Sequence, residues 1–205
     1  MKVLLVNGSP HKNGCTYTAL VCVAEALNKN GIATEIFHIG TKPIAGCIDC
    51  KKCFDDNACV VDDVVNKFAA KAKNADGLVV GSPVYYASAN GSLLAFLNRL
   101  FTLDKDLFKG KPAAAVVSCR RGGAATAVDQ LNKYFAIRQM PIVTSQYWNM
   151  IHGNTPDEVR QDLEGLQTMR VLGNNMAWLL RCIEAGKKEG IVFKDEPKIR
   201  TNFIR

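Results

Sequence analysis

The run Gly77-Leu78-Val79-Val80-Gly81 is apolar without interruption and bounded by glycines. A strand of that kind offers no polar face to water, so it belongs inside a sheet covered on both sides. Residues 3–6 and 113–118 read as further apolar strands, and the segments between them change to a helical period. Leu20, Val23, Ala24 and Leu27 recur at helical spacing from about Thr16 to Lys29, where Asn30-Gly31 ends the pattern as a C-cap. Asp62 or Asp63 is placed to cap a helix carrying Val64, Val65, Phe68 and Ala72. Two more helices carry Leu93, Phe96, Leu97 and Leu100, then Val128, Leu131 and Phe135. Residues 33–39 and 141–144 complete five strands, and 82–91 read as a loop. Thr155-Pro156-Asp157-Glu158 joins a capping box to Pro at the first helical position. A long helix through Ile183 is expected from there, with Gly165 and Gly173 as kink points.

Strands alternating with helices predict an α/β fold, a parallel sheet with right-handed crossovers. Two topologies compete: the dinucleotide-binding Rossmann order, and the flavodoxin order 2-1-3-4-5 with its ligand at the switch point between strands one and three. With 205 residues, 48% of them apolar, the chain can bury one substantial core. The expected organisation is one domain over residues 1–186, with an inserted cysteine-rich loop at 40–61, and a basic tail over 187–205. No apolar run approaches the roughly 20 residues that span a bilayer. The opening residues do not read as a signal peptide, so a cytoplasmic protein is expected. The net charge of +7 would suit nucleic acid, but Lys51-Lys52, Arg120-Arg121 and Lys187-Lys188 lie far apart. Solvated surface, with a modest attraction for anionic nucleotides, is the reading. No Ser-His-Asp or paired-carboxylate arrangement has sensible spacing, which argues against hydrolysis.

The loop Asn7-Gly8-Ser9-Pro10-His11-Lys12-Asn13-Gly14-Cys15-Thr16 follows the first strand and enters the first helix. Converging backbone N–H groups and a helix N-terminus make such a loop an anion pocket, although its residues are also ordinary turn formers. It lacks Gly-x-Gly-x-x-Gly, and it fails the Walker pattern because five residues separate Gly8 from Gly14 and Cys15 stands where the lysine should be. Its donors, among them Ser9, Asn13, Thr16 and backbone amides, are neutral. They suit a terminal monophosphate needing no magnesium, as in FMN. Open α/β sheets bind ligands at the carboxyl ends of their strands, so the next loops should converge on the first. Pro83, Val84, Tyr85 and Tyr86 would wall a flat ring, or form core or interface packing. Cys119, Arg120, Arg121 and Gly122 could hold the N1–C2 edge of a flavin, where negative charge gathers on reduction, or be a solvated arginine pair.

In these three loops the sequence resembles the flavodoxin-like NADPH-dependent FMN reductases. The resemblance reaches from residue 1 to about 123, and by strand-helix order to about 150. It implies a flavodoxin-like three-layer sandwich with a five-stranded parallel sheet in the order 2-1-3-4-5. It also implies FMN phosphate at Ser9, Asn13, Cys15 and Thr16, with His11 and Gly14 in the same loop. Pro83, Val84, Tyr85 and Tyr86 would border the ring, and Cys119 to Gly122 its far edge. Cys15 departs from the small polar residue expected there, although its backbone amide can still serve.

Eight cysteines is a high count for a reducing compartment, and four, Cys47, Cys50, Cys53 and Cys59, fall within thirteen residues. Two successive x-x spacers and one longer reach can wrap four thiolates around a cubane. Structural zinc usually takes two distant Cys-x-x-Cys pairs, and a loop holding no metal is the plain alternative. The motif looks like that of the iron–sulfur flavoproteins, which carry a [4Fe–4S] cluster near FMN. Asp49, Asp55 and Asp56 would lower a cluster's potential, or be merely solvated. Cys22 and Cys182 are expected in the core, and His38 and His152 have no assigned part. Two classes of function follow. One is an NAD(P)H-dependent reductase of a small acceptor such as a quinone, flavin or nitroaromatic. The other is an electron-transfer module for ferredoxin or another protein. The family implies a homodimer or homotetramer, with the long helix and basic tail at the interface.

Overall fold

The computed structural model describes residues 1–201 and Phe203. In chain order its elements are β1 (Lys2–Asn7), α1 (Cys15–Lys29), β2 (Ala33–His38), α2 (Cys53–Asp56), α3 (Val64–Ala72), β3 (Gly77–Tyr85), β4 (Ser88–Ala89), α4 (Gly91–Leu103), β5 (Ala113–Cys119), α5 (Ala124–Ile137), β6 (Met150–His152), α6 (Pro156–Val159) and α7 (Leu163–Lys188). The sheet runs β2-β1-β3-β5-β6, with β4 paired only to β3. The five path strands are parallel, which is the expected flavodoxin order, and β4 folds back antiparallel.

The pleat explains why the central strands read as unbroken apolar runs. Val3 and Leu5 point to one face, where Leu20, Val23, Leu172 and Met176 of α1 and α7 cover them. Leu4 and Val6 point to the other, against Phe68, Phe96 and Leu131 of α3, α4 and α5. Both faces are helix-covered, so neither needs a polar residue. Gly173 is no kink. A Cβ there would stand 2.6 Å from Ala26 Cβ and 2.8 Å from the Val23 carbonyl oxygen, so it is where α7 lies directly on α1.

Several expectations are corrected. Residues 82–91 are not all loop, because β3 continues to Tyr85 and turns into β4. The edge strand is Met150–His152 rather than 141–144, which makes one bridge, Ile142 to Ala113. The chain leaves the sheet after Val143 and rejoins it where the Val117 N–H donates to the Asn149 carbonyl at 3.0 Å. That excursion carries Tyr147 and Trp148, exposed and in edge-on contact at 4.9 Å. The helix opened by Thr155 stops at Val159. Asp162 starts α7 anew, its carboxylate accepting from Gly165 N–H at 2.9 Å and His152 N–H at 2.7 Å. Cys182 is exposed and Cys22 only partly buried. No helix among the described residues is long and apolar enough to cross a membrane.

Candidate functional site

Asn7, fully buried at the end of β1, pins the first loop from beneath. Its Oδ1 accepts from Ser9 N–H at 3.1 Å and its Nδ2 donates to the Lys12 carbonyl at 3.0 Å. Ser9 is buried and its Oγ accepts from His11 N–H at 3.1 Å, while His11, Lys12 and Asn13 are exposed above it. His38, beside Asn7 in the sheet, places Nε2 2.8 Å from the Ser9 carbonyl. A carbonyl only accepts, so the ring hydrogen sits on Nε2. Asn90 Nδ2 donates to the Gly8 carbonyl at 2.6 Å, while its Oδ1 caps α4. Thr16 Oγ1 meets Ser118 Oγ at 2.8 Å in a buried pair, joining the first turn of α1 to the end of β5. Burial pushes the Cys15 thiol up, so it stays protonated against the α1–α7 core and leaves only its amide for a ligand.

Three of the longer helices, α3, α4 and α7, begin on a side chain that caps them: Asp63, Asn90 and Asp162. The other two, α1 and α5, begin on Gly14 and Gly123 with no side-chain cap. Both start where a parallel strand ends. Their first-turn N–H groups are the orphan donors of a helix N-terminus, and with the positive end of the dipole they suit an anion.

The hairpin between them is strained. Tyr85 pairs with Ser88, and the two intervening residues, Tyr86 and Ala87, have φ of 51° and 58°. This is the backbone of a two-residue type I′ turn, normally Asn-Gly, and each left-handed L-residue costs roughly 1–2 kcal/mol. The turn is held from both sides. Gln130 Oε1 accepts from Ser88 Oγ and Ala89 N–H, each at 2.9 Å, and Gly123, at φ 84°, leaves no room for a Cβ, which would stand 2.7 Å from Ala87 Cα. Tyr86 is thereby fully exposed and Tyr85 half so, with Pro83 and Val84 partly buried beneath. Replacing Tyr86-Ala87 by Asn-Gly should raise stability in urea melts by about 1–2 kcal/mol. No gain would show the turn to be unstrained. Cys119 is buried, which pushes its thiol up, whereas Arg120, Arg121 and Gly122 stand exposed at the rim. The three loops therefore meet at the carboxyl ends of the central strands β1, β3 and β5.

The four cysteines line a single concavity with Ile48, Phe54, Val60, Arg99, Thr102 and Leu103. Cys47 and Cys50 are exposed, Cys53 and Cys59 partly buried. Asp49, Lys51 and Asn57 take positive φ around them. Cys59 is held firmly, its N–H and carbonyl both bonded at 2.9 Å to the side-chain amide of Asn66. Among the described residues no three His, Cys, Asp or Glu side chains gather about one point that would hold a single metal ion. The four thiols line one apolar concavity, a donor set of the kind a [4Fe–4S] cluster takes, one thiolate to each iron. Arg99 of α4, 2% exposed, forks onto Asp63 at 2.5 and 3.0 Å. Burial raises the Asp63 carboxyl, but the guanidinium and the Val65 N–H outweigh it and leave the group below its ordinary range.

Asn90, His38, Ser118, Gln130 and Arg99 escaped sequence reasoning. Asn90 alone left a local signal, an Asn ahead of Gly-Ser at a helix start. The others act across the fold.

A family model described as NADPH-dependent FMN reductase matches residues 1–155. The chain belongs to that family. An iron–sulfur flavoprotein of Methanocaldococcus jannaschii is 33% identical over 195 residues, covering 90% of this chain and all of that one. Another, from Methanosarcina thermophila, is 27% identical over 191 residues, covering 91% and 99%. Within the family the chain thus falls in the iron–sulfur flavoprotein branch. Among solved structures, RosB with a bound flavin-phosphate intermediate superposes with a TM-score of 0.71 at 16% identity, covering 100% of this chain and 92% of that one, a likeness of fold. The protein is therefore an FMN-dependent oxidoreductase.

Proposed function

We propose that this chain takes electrons from NAD(P)H onto FMN and delivers them to a small acceptor of quinone, flavin or nitroaromatic type. A [4Fe–4S] cluster on Cys47, Cys50, Cys53 and Cys59 would lie on the route. The carrying observation is the pair of glycine-led, uncapped helices α1 and α5, opening at the carboxyl ends of β1 and β5 on either side of the strained hairpin. FMN, when bound, supplies both hydride and single-electron chemistry. The protein's part is to bind, orient and shield. Backbone amides of Cys15 and Thr16, with Ser9, Asn13 and His11, would hold the phosphate, Gly14 turning the chain into α1 with its N–H on the His11 carbonyl at 3.2 Å. Pro83, Val84, Tyr85 and Tyr86 would border the ring, while Cys119, Arg120, Arg121 and Gly122 would offer donors and positive charge to its N1–C2 edge.

The test is anaerobic purification, absorption spectrum and iron and sulfide assay, then stopped-flow mixing with NADPH and NADH. Rapid bleaching near 450 nm is the expected result. Flavin bands without iron would remove the cluster. No reduction by either nucleotide, with fast reduction by ferredoxin, would instead support the second reading, an electron-transfer module with a protein partner. The exposure of Ile48, Phe54 and Val60 around the cysteines favours that reading. We further propose a homodimer or homotetramer formed through α7 and the tail from residue 187, against which a monomer by light scattering would count. The eight free cysteines suit a reducing, cytoplasmic setting.

A further inference from the structure

We propose that Arg99 is the positioning residue of the four-cysteine loop, fixing Cys59 and setting the electronic character of its sulfur. The inference rests on the cluster reading above. Arg99 lies in the third turn of α4, the helix whose cap Asn90 braces the first loop. The nine residue steps from Asn90 to Arg99 rise about 14 Å along the axis, so one rigid element ties both centres.

From that place the guanidinium reaches three parts of the loop and Asp63 just beyond it. Nη2 donates to the Val61 carbonyl at 2.7 Å and Nη1 lies 3.5 Å from the Ala45 carbonyl. These carbonyls stand two residues outside the last and first cysteines, so one side chain gathers both ends of the loop. The fork onto Asp63 supplies a counter-charge and directs Nε elsewhere. Nε donates to Cys59 Sγ at 3.3 Å, a contact within ordinary reach for sulfur. Only a planar fork with five fixed donors serves all these partners; a lysine ammonium keeps the charge but loses the geometry.

A hydrogen bond to a ligating sulfur withdraws electron density, favours the more reduced cluster and so raises its potential. The other three thiols carry no such donor from Arg99, which makes the four positions inequivalent.

The protein is labelled with ¹⁵N-arginine, purified anaerobically and examined by pulsed EPR in the reduced state. A ¹⁵N coupling to the cluster is expected, since Arg99 is the arginine lining the cysteine concavity. In parallel, Arg99→Lys is compared with wild type for iron and sulfide content, for cluster midpoint by redox titration, and for proteolysis within residues 40–61 of the metal-free protein. A more negative midpoint and faster loop cleavage are expected. Wild-type protein that takes up no iron overturns the cluster reading and this inference with it. An intact cluster with no ¹⁵N coupling overturns the inference alone, as does a variant whose midpoint and cleavage are unchanged. The labelling experiment needs no variant, so it decides the matter even if Arg99→Lys folds poorly.

Discussion

Asp63→Ala is expected to lower unfolding free energy by about 3 kcal/mol, the low end for breaking a buried ion pair. The substitution removes the carboxylate but leaves the guanidinium of Arg99, whose side chain is 1% exposed, with carbonyls and a sulfur that do not neutralise it. Asp63 is 24% exposed, so water reaches the vacated position and softens the loss. The variant also loses the cap on α3, where Asp63 Oδ1 accepts from Val65 N–H at 2.9 Å, worth about 1 kcal/mol within that total. Urea unfolding followed by circular dichroism would measure it. Asp62→Ala, one residue away and exposed, should change stability by no more than about 0.5 kcal/mol. Equal effects at the two positions would show the pair to be unimportant.

The same pair fixes a pH signature. The Asp63 carboxyl is held below its ordinary value in the folded protein, while the unfolded value is about 3.9. A depressed carboxyl stabilises above its unfolded pKa, and that contribution disappears as pH falls through the folded value. The gap between wild type and Asp63→Ala should therefore be constant above about pH 5 and narrow below about pH 4. A gap that widened in acid would contradict the assignment.

Gly173→Val is the second large effect, with an expected cost of about 3 kcal/mol, the upper end for an overpacked core. Any Cβ at 173 falls 2.8 Å from the Val23 carbonyl oxygen. Backbone cannot rotate away as a side chain can, so α1 and α7 must separate and lose contact along the whole seam. Gly173→Ala should cost less, because better helix propensity returns about 1 kcal/mol. Gly186, in the same helix, is the control: its nearest neighbour to an added Cβ is Ile191 at 3.6 Å. Gly186→Ala should be neutral or stabilising by up to about 1 kcal/mol, as thermal melts of the three variants would show. A kink-forming glycine at 173 would instead tolerate alanine as well as position 186 does.

Local pattern carried the main strands and helices, because a buried strand needs an apolar run and a helix a recurring apolar stripe. Its failures were at edges. Residues 141–144 have strand composition, yet they touch the sheet at a single bridge, since an edge segment has one partner and little binds it to a register. The hairpin at Tyr86-Ala87 was invisible because those residues contradict the turn they adopt, and only packing by Gln130 and Gly123 imposes it. Asp162 broke the long helix by capping Gly165 N–H while also accepting from His152 N–H, ten residues back on β6, and the capping box at Thr155 masked that second start.

The sequence by itself determined the sandwich, its strand order and the family, since periodicity, the three strand-end loops and the cysteine spacing are local records. It also marked which loops meet, through the rule that open sheets bind at strand carboxyl ends. Tertiary structure alone decided what braces them. His38 holds Ser9 from 29 residues away, Asn90 holds Gly8 from 82, and Ser118 meets Thr16 across 102. The same holds for Arg99, which reads in sequence as one polar residue on an apolar helix. It becomes the clasp of the cysteine loop only because α4 packs beneath that loop, where a buried charge must find every partner within reach.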